Sequence, residues 1–227
     1  MICFFEVFWE YLISIIGIIM LFLHFKTNKM SLKKASIFIF LVLLADQVLK
    51  IYIKTHFILG EEFRFTSWCK ILFIENEGMA WGTEIPGEYG KIILTVFRLF
   101  AVTGIAYWLW DSVQKQSSNF LIVAVSLIFA GALGNIIDSV FYGVYFNDST
   151  NQLATLFSDK PYGTWFHGKV VDMFYFPIWH GNLPTWLPIW GGKEFTFFNA
   201  IFNLADFAIS TGVGILIVFN KKAFAVK

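Results

Sequence analysis

Charge is scarce in this chain. Asp, Glu, Lys and Arg make up 15% of its 227 residues, where a soluble domain carries about a quarter. The chain is 57% hydrophobic and 20% aromatic, with a mean hydropathy of +0.66, so it is read as a membrane protein. A formal net charge of +1 provides no basic surface for a phosphate backbone, and nucleic acid is not expected as a partner. Two cysteines, Cys3 and Cys69, are too few and too far apart for a disulfide framework or a C-x-x-C pair. The four histidines are scattered, without H-E-x-x-H, so neither a metal site nor a cofactor is expected. A G-x-S-x-G elbow is missing, which argues against serine chemistry, and so is a G-x-G-D motif.

What the chain does have is apolar runs of spanning length, about 20 residues. The first firm one is Ala35 to Ile53, followed by Ile92 to Trp110, Phe120 to Val140 and Phe202 to Phe219. The fold class expected is an all-α polytopic membrane protein with four transmembrane helices and a possible extra N-terminal one. A small β-rich platform, with Lys70-Ile71-Leu72-Phe73-Ile74 as a strand, and a long aromatic loop would sit on the outer face. Residues 1–29 lack the basic start and cleavage site of a secretory signal. They are read as an accessory helix or as upstream sequence, the second being preferred because Met30, Lys33 and Lys34 make a complete start for the first span. The main domain is then residues 30–227. Basic residues flanking the spans (Lys26, Lys29, Lys33, Lys34, Lys115, Lys221, Lys222) mark the cytoplasmic side and put the two long loops outside.

Acids inside such a chain are costly unless neutralised, paired or used. Asp46 and Lys50 are four apart in the first span and share a helix face, so they are expected to pair. Asn135-x-x-Asp138 and Asn203-x-x-Asp206 repeat one spacing, which puts Asn and Asp on a common helix face. Asp172 lies in the loop between them. On the topology above, Asp138, Asp172 and Asp206 converge on the outer membrane face. Two carboxylates held together share a proton; one takes a proton from water while the other polarises a carbonyl. A proton-coupled transporter using the same acids is the rival class. It is less favoured, because the acids cluster at one face and no inverted repeat is visible.

Five ordered motifs then resemble a known family. They are Asp46-Gln47 with Lys50, Asn76-x-Gly78-x-Ala80-Trp81-Gly82, Gly131-Ala132-Leu133-Gly134-Asn135-x-x-Asp138, Val170-Val171-Asp172-Met173 and Phe202-Asn203-Leu204-Ala205-Asp206. From Met30 to about Phe219 the chain looks like a lipoprotein signal peptidase, signal peptidase II. The resemblance implies an aspartyl endopeptidase of the bacterial cytoplasmic membrane, with its active site at the outer face. It removes signal peptides from prolipoproteins carrying a diacylglyceryl cysteine, cutting N-terminal to that cysteine. It further implies Asp172 and Asp206 as catalytic residues, with Asp46, Lys50, Asn76, Gly78, Asn135, Asp138, Asn203 and Ala205 supporting the site or the substrate. Membrane lipid is an expected partner, and the expected state is a monomer. Two departures from the family pattern stand out. Ser139 replaces the usual Arg after Asp138, so either Arg98 or Lys169 supplies the cation or the contact is absent. The stretches Tyr142–His167 and Asp172–Asp206 are longer than usual.

Overall fold

Helix α1, Leu32–His56, is opened by Ser31, whose Oγ accepts the Lys34 N–H at 3.4 Å, a hydroxyl cap on an otherwise orphan donor. Helix α2 is Gly90–Gln114. Helix α3, Asn119–Ile137, starts at Ser118, whose Oγ accepts the Leu121 N–H at 3.2 Å. It runs on through a π-helical turn, Asp138–Tyr142, into one more turn, Gly143–Tyr145. The computed structural model describes residues 17, 29–77 and 89–225. The expectation for residues 1–29 therefore falls almost wholly outside the described residues, as do Gly78, Ala80, Trp81 and Gly82.

Among the described residues three helices, Leu32–His56, Gly90–Gln114 and Asn119–Tyr145, are long and apolar enough to cross a membrane. Helix α4, Leu204–Val218, has 15 residues, about 22 Å at a rise of 1.5 Å per residue. That is shorter than a hydrocarbon core of about 30 Å. Phe202, expected to open the fourth span, lies instead in a strand. The all-α expectation is also corrected: the apolar helices are accompanied by a small antiparallel sheet. Backbone groups of the segments between helices need partners, and strand pairing supplies them.

The chain divides into two units. The helical unit draws on Met1–Leu49, Ile92–Ile137 and Leu204–Lys227. Its core is built from Phe38, Ile39 and Val42 of α1, Leu121 to Val125 and Leu127 of α3, and Ala208 and Ile215 of α4. Helix α3 is central, with 61% of its apolar window buried against 17% for α2. Small residues make the α3–α4 seam close. A Cβ on Gly131 would lie 2.2 Å from the Ala205 carbonyl oxygen, and one on Gly212 would lie 2.6 Å from that of Ala124. Such a seam is how helices associate in lipid, where apolar burial alone drives little. The short helix Asn220–Ala223, labelled α5, closes this unit, with Ser118 Oγ donating to the Ala223 carbonyl at 2.9 Å.

The second unit comprises Lys50–Lys91 and Asp138–Asn203. Its four-stranded antiparallel sheet has the order β1-β2-β3-β6, with β1 Glu62–Arg64, β2 Lys70–Asn76, β3 Val170–Tyr175 and β6 Ile201–Phe202. Ile74 lies opposite Asp172, and Phe174 opposite Phe202. Strand β3 is buried on both faces, so it reads as a near-continuous apolar run with one acid, Asp172. A separate hairpin pairs β4, Trp179–Asn182, with β5, Glu194–Phe197. The β2 strand was expected from the sequence; β3 and the hairpin were not.

Gly131→Ala is expected to lower stability by about 1–3 kcal/mol through overpacking. Gly104→Ala on α2, where a Cβ meets nothing within 4 Å, is expected to leave stability unchanged or raise it. Thermal unfolding of the two variants in detergent checks this.

Candidate active site

The sheet unit surrounds Asp172. Its side chain is buried, 3% exposed. Oδ1 accepts from Asn203 Nδ2 at 2.7 Å and Oδ2 from Asn76 Nδ2 at 3.1 Å. The two amides come from the chains on either side of β3. Asn76 ends β2, and Asn203 directly follows β6. The β-sheet period of two puts Asn76 on the face of Ile74, the residue opposite Asp172. The sequence expectation for Asn203 is corrected here. It precedes α4 rather than sharing a helical face with Asp206, and its side chain is buried and turned to Asp172.

Asp138 lies behind this arrangement. Lys50 Nζ is 2.8 Å from its Oδ2, with both side chains fully buried. Oδ2 also accepts the Val171 N–H at 3.3 Å, one residue before Asp172. Gly168 makes the approach possible. A Cβ there would fall 2.0 Å from the Asp138 carbonyl oxygen, and its own N–H donates to the Ser139 carbonyl at 2.9 Å. Spacing pointed Lys50 to Asp46 and did not supply Asp138.

In the helical unit Asp206 sits in the first turn of α4 and is half-buried. Its Oδ1 accepts from Asn135 Nδ2 at 2.7 Å, and Arg98 of α2 is near enough for the charges to attract. Asp46 is buried, and its Oδ1 accepts the Ala205 N–H at 2.9 Å. A carboxylate from one helix thereby satisfies a free donor at the start of another, where the helix dipole favours it. Ala205 is buried, and the room for it comes from glycine: a Cβ on Gly134 would lie 3.3 Å from that of Ala205.

The family model for signal peptidase (SPase) II matches residues 37–221. The chain is 47% identical over 188 residues to the lipoprotein signal peptidase of Porphyromonas gingivalis, covering 82% of each chain. It is 38% identical over 190 residues to that of Amoebophilus asiaticus, covering 81% of this chain and 75% of that one. A bacterial membrane enzyme solved by the in meso method at 2.3 Å superposes with a TM-score of 0.56 at 26% identity, over 88% of this chain and 98% of that one.

The chain belongs to the signal peptidase II family.

It is therefore an aspartic peptidase and a multi-pass bacterial membrane enzyme. Of the cations considered in place of the family Arg at Ser139, Arg98 is near enough to Asp206 for their charges to attract. Lys169 lies instead 3.7 Å from Glu75 and 3.8 Å from Glu77. A further set of residues escaped the sequence reading. Lys54 is fully buried, ion-paired with Glu75 and 2.9 Å from Ser149 Oγ. The rings of Tyr162 and Phe146 lie 4.9 and 5.3 Å from its Nζ. Glu75 neighbours Asn76, so this ion pair anchors the end of β2 that presents an amide to Asp172. A signal was available: Lys54 follows Lys50 by four residues, and a second ammonium on one face of an apolar helix demands its own acid. Tyr162 accepts the Lys169 N–H at 2.7 Å, and burial pushes its phenol pKa up. Burial likewise raises the Cys69 thiol, consistent with an inert cysteine.

Replacing Lys50 by Met leaves the Asp138 carboxylate buried without its cation, at an expected cost of about 3–5 kcal/mol. Lys50→Met combined with Asp138→Leu is expected to recover part of that loss. Unfolding temperatures of the single and double variants in one detergent measure both effects.

Proposed function

We propose that Asp172 and Asp206 are the catalytic pair, and that the substrate is a prolipoprotein bearing a diacylglyceryl cysteine. Cleavage falls on the N-terminal side of that cysteine. One carboxylate, ionised, takes a proton from water as the water oxygen attacks the scissile carbonyl carbon. The other, protonated, donates to the carbonyl oxygen. Collapse of the tetrahedral intermediate passes a proton to the leaving amine and breaks the C–N bond. Such chemistry uses only proton transfers between two acids and water.

The carrying observation is the contrast among the four acids. Asp172 and Asp206 each accept a hydrogen bond from an Asn amide, which orients the carboxyl, and Asp206 also has Arg98 nearby. Asp138 faces an ammonium at 2.8 Å and Asp46 accepts a helix N–H, so both are read as structural. Asn76, Asn203 and Asn135 orient the two catalytic carboxyls. Lys50, Asp138, Asp46 and Ala205 hold the backbone around them, and Gly78 is carried over from the motif alone. In this reading α4 completes four spans, residues 30–227 form the peptidase domain, the enzyme works as a monomer among membrane lipids, and the site opens at the outer face. The lysines flanking the helices support that orientation.

Asp→Asn keeps shape but removes the base. Asp172→Asn and Asp206→Asn are each expected to abolish cleavage of a diacylglyceryl-modified prolipoprotein at matched amounts of folded enzyme. The double variant should lose no more than either single one, because the two act as a unit. Near-normal turnover by Asp172→Asn would transfer its role to Asp138.

A further inference from the structure

The β4–β5 hairpin has an unusual distribution of side chains. In an antiparallel pair, residues alternate between faces and partners across the ladder share one. Trp179 pairs with Phe197 and Gly181 with Phe195, which makes one face aromatic. His180 pairs with Thr196 and Asn182 with Glu194, which makes the other polar, and His180 Nδ1 lies 2.8 Å from Thr196 Oγ1. Neither face is buried: all three aromatic side chains are exposed.

The tip carries the pattern further. Residues 183–192 read Leu-Pro-Thr-Trp-Leu-Pro-Ile-Trp-Gly-Gly, without a charge. Trp186, Ile189 and Trp190 are 78%, 84% and 61% exposed, as much as Phe97 and Phe100 of the spanning helix α2 at 68% and 75%. A tip open to water has no use for such side chains. Most of its backbone donors are paired within the hairpin, those of Thr185, Trp186 and Ile189 excepted. The N–H groups of Leu183, Leu187, Trp190, Gly191 and Gly192 donate to carbonyls within the hairpin, and Pro184 and Pro188 have no N–H to satisfy. Internal pairing of donors is what a lipid environment requires. Ile189 holds a φ of +72°, a conformation costly for a β-branched residue.

We propose that this hairpin lies in the lipid–water boundary of the enzyme's own membrane. Its aromatic face and its tip rest among the upper acyl chains, and its polar face turns to water. Trp is the residue most at home at that depth. The occupant is the bilayer rather than a protein, because the two faces divide by polarity along the whole hairpin instead of forming a pocket. Six residues, 198–203, separate the end of β5 from the start of α4, so the chain passes from this hairpin into an apolar helix almost at once.

The test uses the full chain in phospholipid vesicles, with Cys3→Ser and Cys69→Ser as background. Nitroxide labels are placed singly at Ile189→Cys and Phe195→Cys on the apolar side and at Asn182→Cys on the polar side. Oxygen is expected to collide with the first two labels severalfold more often than a water-soluble nickel chelate does, with the order reversed at Asn182. A parallel measurement needs no label: brominated-lipid quenching of tryptophan emission is expected to fall in Trp186→Phe with Trp190→Phe relative to the unchanged chain. Equal access of the chelate to all three labels, with unchanged quenching, would overturn the proposal. So would shielding of Ile189 that appears only when prolipoprotein is added, or only at high protein-to-lipid ratio, since the occupant would then be substrate or a second copy.

Discussion

Lys50 presents an ammonium inside an apolar helix, and Asp138 meets it at 2.8 Å with both side chains out of water. Much of the sheet unit's geometry follows from that pair. An isolated charge there would cost far more than a folded chain of this size has to spare, so the π-helical turn that carries Asp138 is held against the last turns of α1. The same carboxylate accepts the Val171 N–H, which fixes the start of β3, and β3 carries Asp172. Lys54 repeats the device one helical turn on, with Glu75 of β2 as its partner. Two lysines on one helix face thus register the two central strands of the sheet.

The acids differ in what meets them. An ammonium or a helix N-terminus stabilises the charged carboxylate and resists its protonation. A neutral amide orients a carboxyl without placing a charge beside it. Asp138 meets an ammonium and Asp46 a backbone N–H at the start of α4; Asp172 is held by the amides of Asn76 and Asn203, and Asp206, in the first turn of α4 and near Arg98, by that of Asn135. The Asn of each motif is therefore as much a part of the acid's environment as its burial, and membership of an aspartic peptidase family is consistent with that division.

Glycine serves this arrangement through close approach. Gly168 lets the strand leading to Asp172 touch the turn carrying Asp138, and Gly131 and Gly134 let α4 seat its Ala205 against α3. None of these contacts would survive a side chain of ordinary size. This accounts for the small residues grouped before Asn135 and for the glycine before the Val-Val-Asp run, which the sequence presents only as motifs.

The sequence by itself determined the membrane character, the long apolar helices, the β2 strand and the identity of the acids and amides. Composition, hydrophobic run length and the cost of a charge in lipid are local properties that can be read along one dimension. Partner choice was different. Spacing offered Lys50 only Asp46, while Asp138, which meets it at 2.8 Å, is 88 positions on in the chain, and Asn203 turns from the helix it precedes to a strand acid 31 positions earlier. The strand at Phe202 and the β4–β5 hairpin also eluded periodicity, because short aromatic runs read alike as strand, loop or span end. Those pairings rest on which buried donor finds which buried acceptor once the backbone has closed, and only the tertiary structure decides that.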